Sequence, residues 1–91
     1  MAASYRFVVA GRVQGVGFRE SARRKAEQLN LGGWIANRPD GAVEGVVSGE
    51  DSALGRFNTW LSDGPPTARV LTLKWQPTPE FVSDGFHIRQ G

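Results

Sequence analysis

The sequence has 91 residues, a mass of 9.9 kDa, no cysteine, one histidine and a formal net charge of +2. This length predicts a single domain over residues 1–91, because domains typically contain ~100–200 residues. The lack of cysteine excludes disulfides, thiolate metal sites and a cysteine nucleophile, and a lone histidine excludes a multi-histidine metal site within this chain. The excess of 11 Lys and Arg over 9 Asp and Glu favours anionic ligands only mildly and does not by itself indicate nucleic acid.

Membrane and export signals are not visible in the sequence. No run approaches the ~20 apolar residues that a transmembrane helix needs. Residues 1–6 show no basic region followed by a long apolar stretch. We therefore expect a cytoplasmic protein without a membrane partner.

The chain begins with a predicted strand, a glycine-rich loop and a helix. Residues 5–10 alternate as a half-buried strand does, and residues 11–17 form a loop with three glycines. Residues 18–31 have apolar side chains at helical spacing. Gly32-Gly33 is expected to end this helix, because glycine adopts the left-handed conformation found at many helix ends. The apolar residues that define the helical face are Phe18, Ala22, Ala26 and Leu29.

A β-hairpin is predicted next. Its strands are residues 34–37 and 42–48, and the turn between them is Arg38-Pro39-Asp40-Gly41. Proline presets one dihedral angle of the turn, and Gly41 supplies a positive φ.

The rest of the chain predicts one more helix and two strands. Residues 48–52 offer capping side chains and early acidic charge, and the helix that follows ends at Gly64, because Pro65-Pro66 forbids its continuation. Residues 69–75 and 86–89 then alternate as strands. The apolar residues of the helix are Leu54, Phe57, Trp60 and Leu61, and those expected on one side of the first strand are Leu71, Leu73 and Trp75.

The order of these elements, β-α-β-β-α-β plus a short C-terminal strand, predicts an α+β fold. Two helices do not cover both faces of such a sheet, so both are expected to pack on one face of an antiparallel sheet. That arrangement is the ferredoxin-like two-layer α/β plait. The fold hosts unrelated functions, so the chemistry has to be sought in particular residues.

The glycine-rich loop is the first chemically informative segment. Amide groups of residues 11–17, close to a helix N-terminus, form a concavity suited to an anion, and Arg19 in the first helical turn adds a bidentate donor. The loop lacks the Gly-Lys-Ser/Thr ending of a P-loop and the glycine spacing of a dinucleotide fingerprint. From the residues alone, two other interpretations remain open. The loop can be simply a tight connection between strand and helix, and Arg19 can belong to a surface ion pair.

Asn37 is the second candidate. It has the same parity as Ile35, so its amide points toward the start of the first helix if Ile35 faces the helical layer. The alternative is that Asn37 simply begins the turn, a frequent use of asparagine.

Residues 9–19 and residues 33–41 together resemble the two signatures of the acylphosphatases. The resemblance extends over essentially the whole chain, including Gly64-Pro65-Pro66 between the second helix and the next strand. It implies a small, stand-alone, monomeric enzyme that hydrolyses the carboxyl-phosphate bond of small acyl phosphates, without a cofactor or metal and without a nucleic-acid partner. Acetyl phosphate, carbamoyl phosphate and a glycolytic acyl phosphate are all compatible, and phosphate or sulfate is expected to occupy the site.

The resemblance also implies residue roles. Arg19 binds the phosphoryl group and Asn37 orients the attacking water. Two positions vary within the family or depart from its pattern, namely Gly17, where bulkier residues also occur, and Arg38, where some members have threonine. The backbone amides expected to complete the phosphate cradle belong to Gln14, Gly15, Val16, Gly17 and Phe18.

The reaction needs few groups. Its leaving group is a carboxylate, whose conjugate acid has a pKa near ~4, so no general acid is required. Holding negative charge and placing a water in line are tasks of electrostatics and positioning. The family resemblance implies that the substrate phosphate accepts the proton of the water.

Other residues suggest weaker alternatives. Ser21 has no positioned histidine, His87 lies in a predicted strand, and Asp40 and Glu44 belong to a turn and a strand surface. The basic run at residues 23–25 suggests RNA binding, but the aromatic signature of RNA-binding modules on this fold is missing. A non-catalytic anion-binding or regulatory domain is the main alternative, since the cradle alone would serve binding. A water-positioning amide opposite the arginine discriminates against it.

Overall fold

Five strands form one sheet in the computed structural model, which describes residues 1–90. The strand order is β4-β1-β3-β2-β5. The elements are β1 (Ala2–Arg12), α1 (Phe18–Gln28), β2 (Gly32–Asn37), β3 (Val43–Glu50), α2 (Asp51–Asp63), β4 (Arg69–Pro77) and β5 (Phe86–Arg89). The predicted ferredoxin-like plait with an added C-terminal strand is therefore confirmed.

The first four strands are antiparallel, whereas β5 runs parallel to β2, so the complete sheet is mixed. The reason lies in residues 78–85, which lead from β4 at one edge to β5 at the other. On the way, Thr78 N donates to the carbonyl of Ser4 in β1, and Val82 N donates to the hydroxyl of Ser48 in β3. Gly33 N in β2 then donates to the carbonyl of Gly85. The segment thus covers the sheet face opposite the helices.

Both helices pack on the other face, as predicted. The side chains of Phe7 and Ile35 point from the sheet into this layer and are fully buried, and so is Phe57 of α2. The Phe57 ring lies 5.9 Å from that of Phe7 in an edge-on contact. The helical residues that complete the core are Phe18, Ala22, Ala26, Leu54 and Leu61.

The first helix ends earlier than predicted and for another reason. It stops at Gln28, and the left-handed residue after it is Asn30, with φ 57°. Asparagine tolerates this conformation because its short side chain bonds locally. Gly32 and Gly33 belong to β2 instead, where a Cβ atom would overlap the carbonyl oxygens of Val82 and Val46 respectively. The two glycines are required by close packing of backbones.

The predicted cap of the second helix is also different. Glu50 occupies the N-cap position without a side-chain hydrogen bond. Ser48 is buried and lies 2.7 Å, oxygen to oxygen, from the hydroxyl of Ser4. The end of this helix at Gly64, with φ 69°, is as predicted.

A bulge changes the face of Leu71. Ala10 pairs with Thr72 and Gly11 pairs with Val70, so Leu71 is the extra residue of β4 and is 71% exposed. The prediction that it shares a face with Leu73 and Trp75 is therefore wrong. A bulge leaves one residue without a partner and turns the strand. Among residues 1–90, no helix is long and apolar enough to cross a membrane.

Candidate active site

The loop between β1 and α1 contains two left-handed glycines, a feature of backbone anion-binding sites. Gly15 and Gly17 are left-handed, with φ 73° and 77°, and Val16 lies between them. Such residues let neighbouring backbone N–H groups converge on one point. Gly17 is also the N-cap of α1 and supplies no side-chain cap, so the first amides of the helix are left for another acceptor.

Side-chain hydrogen bonds from Thr67, outside the loop, and from Gln14, within it, hold this loop in place. The hydroxyl of Thr67 donates to the carbonyl of Val16 at 2.6 Å. The Gln14 side-chain amide donates to the carbonyls of Arg38 and Ala42, at 2.8 and 2.9 Å, in the hairpin turn. The loop is therefore anchored on both sides before any ligand binds.

Beside the loop lies a cavity of about 280 Å³. Arg19 and Asn37 both line it, although they are 18 positions apart on different elements. The remaining lining residues are Val13, Gly15, Gly17, Phe18 and Glu20 from the loop and helix, and Ile88 and Gln90 from the C-terminal segment. The sequence-predicted guanidinium and carboxamide thus open onto the same side of the molecule.

The other predicted cradle residues differ in position. Gly15, Gly17 and Phe18 line the cavity, whereas Gln14 and Val16 are not among its lining residues. The Gln14 side chain is engaged with the turn, and the Val16 carbonyl is engaged with Thr67. A contact between phosphate and the backbone amides of these two residues stays a prediction.

Asn37 is aimed at the cavity by β2. It is the last residue of that strand and pairs with Val43 of β3. Ile35, two residues earlier, is buried in the helical layer, so both side chains point the same way. The Oδ1 atom of Asn37 is buried and has no hydrogen-bond partner within residues 1–90. A buried acceptor without a hydrogen bond costs ~1–3 kcal/mol of stability, and a hydrogen-bond donor that reaches Oδ1 removes this cost.

The charges around the cavity favour an anion. Among residues 1–90, no carboxylate pairs with Arg19, and its guanidinium is left for a ligand. Glu20 lines the same cavity but is hydrogen-bonded by Arg23, which holds the pKa of this carboxyl below its ordinary value. Arg24 lies 3.9 Å from the same carboxylate. The local anion is therefore already neutralised by two cations.

The alternatives suggested by the sequence do not assemble into a site. The His87 ring nitrogen lies 3.0 Å from the Asp84 carbonyl, and Asp40 is bonded to the side chain of Arg38. Glu44 accepts from Arg6. Within residues 1–90, no three His, Cys, Asp or Glu side chains are grouped as metal ligands.

The two positions that depart from the family pattern are both explained locally. A Cβ atom at Gly17 would meet open space, but the φ of 77° at this position would strain any other residue. The Arg38 guanidinium pairs with Asp40 at 2.9 Å and lies 3.8 Å from Glu44, outside the set of cavity-lining residues. Its charge is thus largely balanced where it stands.

Ile88 and Gln90 line the cavity but are not among the site residues predicted from the sequence. Both reach the cavity because β5 pairs with β2, with Ile88 opposite Ile35. The alternation of residues 86–89 signals a strand but carries no information about its partner.

Comparisons with known proteins point to one family. The family model described as Acylphosphatase matches residues 5–88. The acylphosphatase of Thiobacillus denitrificans is 56% identical over 81 residues, which cover 89% of this chain and 90% of that protein. The solved acylphosphatase structure from Coxiella burnetii has a TM-score of 0.92 at 40% identity and covers 97% of this chain and 93% of that one. The acylphosphatase structure from Bacillus subtilis has a TM-score of 0.87 at 35% identity, with coverage of 98% and 99%.

The architecture that these comparisons match is a two-layer α/β plait. This chain belongs to the acylphosphatase family, and it is a hydrolase of that kind.

Proposed function

We propose that the enzyme hydrolyses acyl phosphates by direct attack of water on a phosphoryl group held in the cavity beside α1. The observation that carries this proposal is that Arg19 and Asn37 line one cavity. A guanidinium binds phosphate through two parallel N–H donors, and the amides of residues 14–18 complete the cradle. Because Arg19 and the loop residues Gly15, Gly17 and Phe18 line the cavity of the folded chain, we expect little reorganisation in the transition state.

The Asn37 amide orients the attacking water in this proposal. Its unpaired Oδ1 is an acceptor in need of a donor. The last torsion of asparagine is soft, so the amide turns its oxygen toward the cavity when a water enters with the substrate. The water then donates to Oδ1 and directs a lone pair of its own oxygen at phosphorus.

The bond changes are simple. The water oxygen forms a bond to phosphorus, the bond from phosphorus to the acyl oxygen breaks, and the electron pair leaves with the carboxylate. A carboxylate is stable without a proton, so no general acid is required. A phosphate oxygen of the substrate takes the proton of the water, and the products are a carboxylate and inorganic phosphate.

The cavity also favours a small substrate. At about 280 Å³ it is no larger than the low end of the usual range for small-molecule sites, ~300–1,000 Å³. Ile88 supplies apolar wall next to the cradle, where a short acyl group fits. We further propose that the enzyme acts without a metal ion, because one cation and the loop amides supply the charge stabilisation. We propose that it acts as a monomer, because the residues that line the cavity come from one chain. Its cytoplasmic location stays a prediction.

An assay of purified protein tests the proposal. We expect hydrolysis of acetyl phosphate, no hydrolysis of an alkyl phosphate monoester such as glycerol 3-phosphate, and unchanged rates in EDTA. A monoester needs protonation or activation of its leaving group, which this cavity does not offer. Equal cleavage of both substrates, or loss of activity in EDTA, contradicts the mechanism. Phosphate binding with no cleavage of either substrate would favour the non-catalytic anion-binding domain instead.

A further inference from the structure

The Gln14 side chain links the two halves of the site. Its Nε2 donates both hydrogens, one to the carbonyl of Arg38 at 2.8 Å and one to that of Ala42 at 2.9 Å. Ala42 O also accepts from Arg38 N at 2.8 Å. The amide therefore sits in the mouth of the hairpin turn, immediately after Asn37, while the next residue along its own chain, Gly15, lines the cavity.

This link lies where the sheet no longer connects the two segments. The pairing of β1 with β3 ends at Val9 and Val43, and beyond that point β1 continues only with β4, as far as Arg12. Within residues 1–90, the two bonds from Gln14 are the hydrogen bonds between the cradle loop and the turn. These two side-chain hydrogen bonds therefore connect the segments where the backbone pairing of β1 with β3 has ended.

We propose that Gln14 is a positioning residue, whose side chain sets the distance between the phosphate cradle and the Asn37 amide. This inference rests on the proposed function, in which the cradle holds phosphorus and Asn37 holds the water. Without the link, each half keeps its own support: Thr67 still holds Val16, and β3 still pairs with Asn37. The loss is in their relative placement.

The expected kinetic signature follows from that separation. Misplacement of reacting groups by about 1 Å lowers a rate by about 100-fold. For Gln14→Met, which keeps the chain length but has no donor, we expect kcat for acetyl phosphate to fall by about 10- to 100-fold. The inhibition constant of inorganic phosphate is expected to stay within about threefold, because binding uses the cradle alone. Gln14→Asn, which is too short to reach both carbonyls, serves as the second variant if Gln14→Met does not fold.

Thr67→Val is the matched control. It removes another side-chain bond to the same loop, but one that does not connect to the hairpin. We expect it to leave kcat much closer to that of the parent than Gln14→Met does. Equal losses of kcat in the two variants would show that loss of either side-chain bond to the loop is enough to lower kcat. That result would overturn the specific role of Gln14.

A double-mutant cycle decides whether Gln14 acts through Asn37. If it does, Gln14→Met has little further effect on kcat in an Asn37→Ala background, since the group it positions is gone. An unchanged kcat in Gln14→Met, a parallel loss of phosphate affinity, or full additivity with Asn37→Ala overturns the inference. Failure of the proposed function gives a different result, because Asn37→Ala alone would then retain its turnover.

Discussion

Replacing Asn37 by alanine is expected to stabilise the fold and to impair turnover at the same time. The Oδ1 atom is buried and unpaired within residues 1–90. Such an acceptor costs ~1–3 kcal/mol. Alanine removes the acceptor but also loses some packing at the end of β2. We therefore expect the free energy of unfolding to rise by about 1 kcal/mol, the lower end of that range. For a domain of about this size, that gain raises Tm by about 4–8 °C.

The loss of activity has a separate cause. The water loses its orienting acceptor, while Arg19 and the loop amides still bind phosphate. We therefore expect kcat for acetyl phosphate to fall by about 100-fold, with the inhibition constant of inorganic phosphate little changed. Thermal unfolding measures the first effect, and steady-state kinetics with phosphate as inhibitor measure the second.

Asn37→Asp is the matched variant, because it keeps the shape and an acceptor but places a negative charge in the cavity. We expect it to weaken phosphate binding, which Asn37→Ala does not. An Asn37→Ala protein with the parent kcat would refute the water-positioning role. A lower Tm would refute the account of the unpaired oxygen, and weakened phosphate binding with unchanged kcat would reassign the residue to binding.

Three further predictions concern the cation, the core and acid stability. Arg19→Ala is expected to lower kcat/KM by about 100- to 1,000-fold, as loss of one preorganised donor does, with partial recovery in Arg19→Lys; a folded Arg19→Ala protein of full activity contradicts the role. Phe57→Ala is expected to lower the free energy of unfolding by ~3–5 kcal/mol in urea titrations, because the ring is fully buried among three other aromatic rings, and a negligible change contradicts the packing described. Hydrogen bonds from the backbone amide of Ala42 and from the Arg38 side chain hold the pKa of Asp40 below its ordinary value of 3.8. The ionised Asp40 carboxylate therefore stabilises the fold above pH 3.8, and this contribution is lost as the pH falls through the lower folded-state pKa. Tm measured between neutral and acid pH in parent and Asp40→Asn should converge in acid, and a constant difference contradicts this linkage.

The cavity depends on elements that are distant in sequence, and this limits what can be predicted residue by residue. Arg19 and Asn37 are both candidates from their local contexts, and the family resemblance implies their roles. Their shared cavity is expected only on the condition that Ile35 faces the helices, which the fully buried Ile35 satisfies. Gln14, in contrast, is predicted as a cradle amide, and nothing in its neighbours along the chain indicates that its side chain reaches Arg38 and Ala42.

The errors in the predicted elements have similar causes. Alternation places Leu71 on the face of Leu73, but the bulge opposite Ala10 and Gly11 shifts the register by one residue. Gly32-Gly33 is typical of a helix end, but in the structure the backbone carbonyls of Val82 and Val46 pack against these two glycines, where a side chain would not fit. In each case a contact between distant segments overrides a local preference.

The amino-acid sequence by itself determined the number and order of the helices and strands, the face that each helix buries and the residue types available for the chemistry. These properties follow from side-chain spacing and backbone preferences that act within a few residues. Only the tertiary structure decided that β5 lies beside β2, that Ile88 and Gln90 complete the cavity wall and that Gln14 connects the loop to the hairpin. Such pairings depend on which surfaces exclude water and satisfy hydrogen bonds together, and that choice is made by the whole folded chain.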